Sequence, residues 1–173
     1  MNFPRKSEDL SPLHGPEDAA DVLRVWSRDS RTEHLRRVPL FHDCTDDELR
    51  RIAAISEIVE RPAGTVLTEI GRPGDSFFVV IDGHVSVETP IGTGDPLQPG
   101  DFFGEMSLLD GEPRSATIRA TTDVRLLVVD RFHFSRLLNE APDLVRRILL
   151  ILSRRVRRLE QVANALRQRM SRT

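Results

Sequence analysis

Between Phe103 and Ala116 the chain reads Phe-Gly-Glu-Met-Ser-Leu-Leu-Asp-Gly-Glu-Pro-Arg-Ser-Ala, and the types and spacing of these residues suit a single task. Arg114 offers a planar fork to an anionic phosphate, while Ser115 and the backbone N–H of Ala116 add neutral donors beside it. Glu105 can accept from a sugar hydroxyl, and Gly104 before it lets the backbone approach a ligand closely. Met106 to Leu109 can form a short turn whose N-terminal N–H groups face an anion, with Leu108 and Leu109 closing over the site as apolar contacts. The chemistry is noncovalent: such a set holds a phosphorylated sugar. A plainer account of the same residues is a surface ion pair of Glu105 with Arg114 around a loop.

The scaffold has to position that run. The chain has 173 residues, 39% of them hydrophobic, enough for one domain with extensions. A net charge of -2 exerts no global pull toward nucleic acid. Charge is unevenly spread, because residues 143–173 carry nine arginines against Asp143 and Glu160. Cys44, the single cysteine, can make no internal disulfide; a reducing, cytoplasmic setting is expected, with Cys44 a small buried residue rather than a nucleophile. The N-terminus lacks the apolar core of a signal peptide, and the longest aliphatic run is Ile148 to Leu152, so no membrane span is expected.

Along the chain, residues 1–16 hold Pro4, Pro12, Gly15 and Pro16 among charges and read as a mobile tail. Residues 17–34 read as an N-terminal helical extension, with Ala19, Val22, Leu23 and Trp26 at helical spacing and a break near Arg28 to Ser30; Pro39 stops any helix entering from that side. Thr45-Asp-Asp-Glu48 is a capping box, and Leu49, Ile52, Ala53 and Ser56 form the inner stripe of a helix from Asp46 to about Glu57. Short β-prone runs follow at Thr65 to Glu69, Ser76 to Ile81, His84 to Thr89, Thr117 to Ala120 and Val124 to Val129, with a hairpin expected at Asp82-Gly83. From Asp143 the sequence has no glycine or proline, and Val145, Leu149, Leu152, Val156, Leu159, Ala163, Leu166 and Met170 alternate steps of four and three. That is a heptad seam, which predicts a parallel coiled-coil dimer; the alternative is that the first two turns pack on the domain and only the rest is free.

The order Phe-Gly-Glu, apolar residue, Leu-Leu, spacer and Pro-Arg-Ser-Ala resembles the phosphate-binding cassette of cyclic nucleotide-binding domains. The likeness runs from about Leu35 to Leu166 and includes Gly71-x-x-Gly74-Asp75-x-Phe77-Phe78-Val79-Val80-x-x-Gly83, which looks like the hairpin core of the domain. It implies an α+β fold, an antiparallel β jelly-roll barrel over residues 35–142 with flanking helices and a long C-terminal dimerisation helix over 143–173. Pro142-Asp143 and the arginine-rich helix look most like the effector domain of catabolite-activator-type (cAMP receptor) regulators. With few residues after Leu166, no helix-turn-helix DNA-reading module is expected to follow. The resemblance assigns the ligand to Phe103, Gly104, Glu105, Met106, Arg114, Ser115 and Ala116, with Val87 and Leu97 as apolar walls for the base. Where regulators of that group place small hydroxyl residues against adenine, this chain has Arg158-Leu159-Glu160-Gln161; by analogy with bacterial cyclic nucleotide-gated channels, Arg154 or, preferably, Arg155 is expected to stack over the purine as a lid.

The expected ligand is cAMP, with cGMP the alternative because Ser115 suits either, and no metal or other cofactor is expected. Scattered histidines and the lack of a Gly-x-Ser-x-Gly or Walker-type loop argue against an enzyme. The expected function is a sensor that transmits occupancy through its C-terminal helix to a protein partner or an oligomer. The alternatives are a nucleic-acid-binding regulator using the arginines of that helix, disfavoured because no aromatic or base-reading residues interleave with them, and a barrel kept only for assembly.

Overall fold

The computed structural model describes residues 28–171, so the expected tail and the stripe from Ala19 to Trp26 lie outside the described residues. Helix α1 spans Arg28–Arg37, so residues 28–30 are helical, while the junction at which a break was expected begins at the edge of the described residues. The helix is tied down at Arg31, whose Nη1 donates to the carbonyl of Ser56 at 2.8 Å, and it ends before Pro39, which opens a 3₁₀ turn over Pro39–Phe41. Helix α2, Asp46–Ile55, starts as its sequence predicts: Thr45 Oγ1 accepts from the N–H of Glu48, and Glu48 Oε2 accepts from the N–H of Thr45 at 2.9 Å. Leu49, Ile52 and Ala53 on its inner face are buried.

Eight strands follow: β1 Glu57–Arg61, β2 Val66–Thr68, β3 Ser76–Asp82, β4 Val85–Thr89, β5 Gly92–Thr93, β6 Phe102–Phe103, β7 Thr117–Ala120 and β8 Val124–Asp130. They form two antiparallel four-stranded sheets, ordered β1-β8-β3-β6 and β2-β7-β4-β5. The first sheet is buried on both faces. Phe77, Val79, Phe102, Leu127 and Val129 point toward the helices, whereas Phe78, Val80, Phe103 and Leu126 point toward the second sheet, where they meet Leu67, Val85, Ile118 and Ala120. Two-sided burial explains the unbroken apolar runs of β3 and β8, since a strand with no solvent face has no polar positions to alternate with. It also hides β1, in which Ile58 and Val59 are buried on opposite faces between charged neighbours. No ladder among the described residues joins the two sheets, so they stand as two packed layers where a closed barrel was expected.

The Asp82-Gly83 hairpin is not formed. Strands β3 and β4 belong to different sheets, and Gly83 is the corner at which the chain crosses between them. The β7-to-β8 connection crosses beside it, with the N–H of Thr121 donating to the carbonyl of His84 and the N–H of His84 donating to Thr122 Oγ1. A Cβ at Gly83, where φ is +83°, would lie 2.3 Å from the carbonyl oxygen of Asp123. Gly83→Ala is therefore expected to destabilise the domain by at least about 2 kcal/mol in urea unfolding, because both the backbone conformation and the fixed neighbour oppose it. The tight hairpin lies elsewhere, joining β4 to β5 around Pro90 and Ile91.

Helix α3, Glu105–Asp110, follows β6; helix α4, Arg131–Glu140, is capped by Asp130, which accepts from the N–H of His133 at 2.8 Å; only Ala141 separates α4 from α5, Pro142–Met170. Along α5, Leu144 and Ile148 are buried and Ile151 and Leu152 are packed against the helix-side core. Beyond them Val156, Leu159, Val162, Leu166 and Met170 are exposed along one side, so the early turns serve the domain and the later seam stays largely open. No described helix is long and apolar enough to cross a membrane.

Candidate functional site

The β6–α3 junction places the predicted residues. Phe103 stacks on Phe78 with ring centroids 4.8 Å apart, Gly104 turns the chain with φ +86°, and Glu105 opens α3 with its side chain almost fully buried. Arg114 arrives from the loop after α3, and its backbone is laced to the loop before β3. The N–H of Gly71 donates to the carbonyl of Arg114, and the N–H of Arg114 donates to the carbonyl of Arg72, both at 2.8 Å.

Arg114 is 7% exposed. Its Nη1 donates to the carbonyl of Gly104 and its Nη2 to the carbonyl of Ser76, each at 2.8 Å, which fixes the guanidinium fork and leaves further N–H donors for an anion. Among the described residues no carboxylate lies within ion-pair distance of it. Burial lowers its proton affinity, Asp75 and Glu105 restore part of it, and Arg131 lowers it again. The surface pair of Glu105 with Arg114 is thus not what forms. A buried cation with no carboxylate at ion-pair distance is a costly arrangement that an incoming anion would relieve.

Glu105 pairs instead with Arg155 on α5, whose Nη1 lies 3.4 Å from Glu105 Oε1 and whose Nη2 donates to the carbonyl of Phe102 at 2.7 Å. The Arg155 guanidinium also lies over the Phe102 ring, 4.5 Å from its centroid. Burial pushes the Glu105 carboxyl up from the usual range, with Arg155, its own backbone N–H and Arg114 pulling it partly back. The folded state therefore holds this proton more tightly than the unfolded chain. Its stabilising contribution is complete below the ordinary carboxylate pKa and is lost as pH rises through the raised one. In melts from about pH 4 to about pH 8, the ligand-free wild type is expected to lose stability relative to Glu105→Gln as pH increases.

The other predicted residues gather around this centre to different degrees. Ser115 is exposed, its Oγ 3.5 Å from Met106 Sδ, and Met106 is half exposed. The carbonyl of Ala116 accepts from Thr68 Oγ1 at 3.3 Å, which pins the strand after the arginine. Val87 and Leu97 pack with Ala116 against the core between the sheets. Leu108 packs on the helix-side core while Leu109 stays exposed, so the pair does not act as one apolar cover. Arg154 is exposed, leaving Arg155 as the arginine that reaches the site. Cys44 is partly buried, and its thiol is pushed up to about 12, first by burial and then by Glu48, Asp143 and Asp43, which disfavours the nucleophilic thiolate.

Sequence reasoning missed the groups that hold Arg114 in place. The carbonyls of Gly104 and Ser76 leave no mark in side-chain patterns. Gly74 does, as a glycine: a Cβ there would sit 2.3 Å from Arg114 Nε. A cavity of about 330 Å³ lined by Glu60, Arg61, Asp82, Asp123 and Arg125 lies at the strand corners and contains no residue of this run.

Comparison with known proteins agrees with this geometry. The profile of the cyclic nucleotide-binding domain matches residues 58–141. A cyclic nucleotide-gated potassium channel of Mesorhizobium japonicum is 43% identical over 126 residues, 72% of this chain; the chain spans 33% of that channel. Among solved structures, PKAR CBD2 bound to Sp-2Cl-cAMPS superposes with a TM-score of 0.66 at 30% identity, covering 80% of this chain and 90% of that one. The Thermus thermophilus catabolite activator protein does so with a TM-score of 0.66 at 31% identity, covering 74% of this chain and 62% of that one. A glycine-opened α3 beside a carbonyl-held arginine and sequence likeness over most of the chain lead to one conclusion: the chain belongs to the cyclic nucleotide-binding domain family.

Proposed function

We propose that this protein is a cyclic nucleotide sensor whose output is carried by α5. The observation that supports it most is the buried Arg114 guanidinium, held by two carbonyls and lacking a carboxylate partner. In this reading the cyclic phosphate takes the remaining N–H donors of Arg114, with the N–H of Ala116 and the Ser115 hydroxyl beside it. Gly104 and Glu105 receive the ribose, Phe103 and Met106 border it, and Val87 and Leu97 flank the base. The ligand of the neighbouring PKAR CBD2, Sp-2Cl-cAMPS, favours cAMP over cGMP. Among the described residues no cluster of three or more His, Cys, Asp or Glu side chains is placed to hold a metal ion.

Transmission follows from the Arg155 contacts. The same carboxylate that would accept a ribose hydroxyl is the one Arg155 holds, so a bound sugar competes with or completes that pairing and α5 responds. Its exposed seam from Val156 to Met170 is suited to a second copy in a parallel coiled coil, or to a protein partner. Switching α5 almost fully between two positions requires the ligand to favour one of them by about 5.5 kcal/mol, within reach of a few charge-assisted bonds.

Calorimetric titration with cAMP and with cGMP tests the reading. Saturable binding of either with one site per chain is expected, cAMP the tighter, and sedimentation with and without ligand should show a change in the dimer population. No binding of either nucleotide would reject the sensor and leave the domain an assembly module.

A further inference from the structure

We infer that Arg131, at the start of α4, is a positioning residue for the phosphate-binding arginine; the inference rests on the nucleotide reading above. Arg131 Nη2 donates to the carbonyl of Gly74 at 2.8 Å and to the carbonyl of Ser107 at 3.0 Å. Arg114 binds the carbonyls of Ser76 and Gly104. The two guanidiniums therefore divide the same two segments between them: one carbonyl each from residues 74–76 before and within β3, and one each from the β6–α3 stretch. Any shift of either segment displaces the carbonyls that aim Arg114.

The placement of Arg131 is otherwise unfavourable. A cation in the first turn of a helix opposes the helix dipole, and among the described residues no carboxylate forms an ion pair with it. Its carbonyl contacts supply the missing reason. Ser107, which it grips, is itself buried, so the bond forms in a setting where an unpaired carbonyl would be costly. Because α4 leads into α5 through Ala141 alone, Arg131 also joins the nucleotide site to the helices that would carry its output, without touching the ligand.

The test uses the full chain. Arg131→Gln is expected to weaken cAMP binding about tenfold or more, from the loss of two charge-assisted bonds outside the ligand shell. It should also change the ratio of affinities for the Rp and Sp phosphorothioate analogues, which differ only in which exocyclic oxygen of the phosphate is sulfur. In an Arg114→Lys background the same substitution should have little further effect, since the fork it positions is gone. Should Arg131→Gln fail to fold, Arg131→Lys, whose ammonium cannot grip both carbonyls as well, is read by the same cycle. Wild-type affinity with an unchanged Rp/Sp ratio overturns the inference, as does an additive penalty in the Arg114→Lys background. If the wild type binds neither cAMP nor cGMP, the nucleotide reading itself fails and takes this inference with it.

Discussion

Arg114→Ala is expected to lower cyclic nucleotide affinity by about a hundredfold to ten-thousandfold while leaving the fold nearly as stable as before. The affinity estimate follows from losing two charge-assisted hydrogen bonds to phosphate, at roughly 1.5 to 3 kcal/mol each. The stability expectation comes from two opposing changes in the ligand-free protein. Removing the charged side chain of a residue that is 7% exposed and has no carboxylate at ion-pair distance relieves a desolvation cost. Removing it also strips the carbonyls of Gly104 and Ser76 of their donor. These offset to within about 1 kcal/mol. Thermal melts with and without nucleotide separate the two quantities: the wild type should gain about 2.7 kcal/mol at a ligand concentration of 100 Kd, and the variant at the same concentration almost nothing. Arg114→Lys keeps the charge but loses the fork, and should still bind at least about tenfold more weakly than wild type.

Gly104→Ala should damage both binding and stability, and two other glycines show why. At Gly104 the backbone is left-handed, and an added Cβ would stand 2.6 Å from the carbonyl oxygen of Ser76 and 2.7 Å from Arg114 Nη1. The first neighbour is backbone of a central strand and cannot yield, so a loss of about 2 to 4 kcal/mol in urea unfolding is expected, with binding abolished. Gly111 has a similar φ of +78° but nothing within 4 Å, so Gly111→Ala should cost only about 1 to 2 kcal/mol of backbone strain and bind normally. Gly74 has no left-handed strain, and the three nearest atoms to its added Cβ all belong to the Arg114 side chain, Nε at 2.3 Å. Gly74→Ala should therefore approach Arg114→Ala in its effect on binding with little effect on stability. Wild-type binding by Gly74→Ala would show that Arg114 tolerates displacement and would remove the basis for a fixed fork.

Much of the site was legible because its chemistry is local in sequence. Arg114 lies nine residues after Glu105, and a glycine, a carboxylate, a short apolar turn and an arginine at that spacing restrict the ligand before any fold is known. The capping box of α2 was legible for the same reason, since both partners of its two hydrogen bonds lie within four residues. The Asp82-Gly83 corner was not. A glycine that turns a chain back into its own sheet and one that passes it to another sheet look alike, and only the pairing of β3 with β8 and of β4 with β7 separates them. β1 escaped notice because two-sided burial removes the alternation by which a strand is recognised.

The sequence by itself pointed to the type of ligand chemistry and determined the short turn at Glu105, the start of α2 and the heptad spacing of α5, all of which rest on contacts or periods within a few residues. Tertiary structure decided which charges meet. It gave Glu105 to Arg155, fifty residues away, and left Arg114 to backbone carbonyls that no side-chain pattern encodes. It also divided α5 into a packed beginning and an open seam, because burial depends on which face meets the core, and a heptad repeat names the apolar positions without saying what covers them.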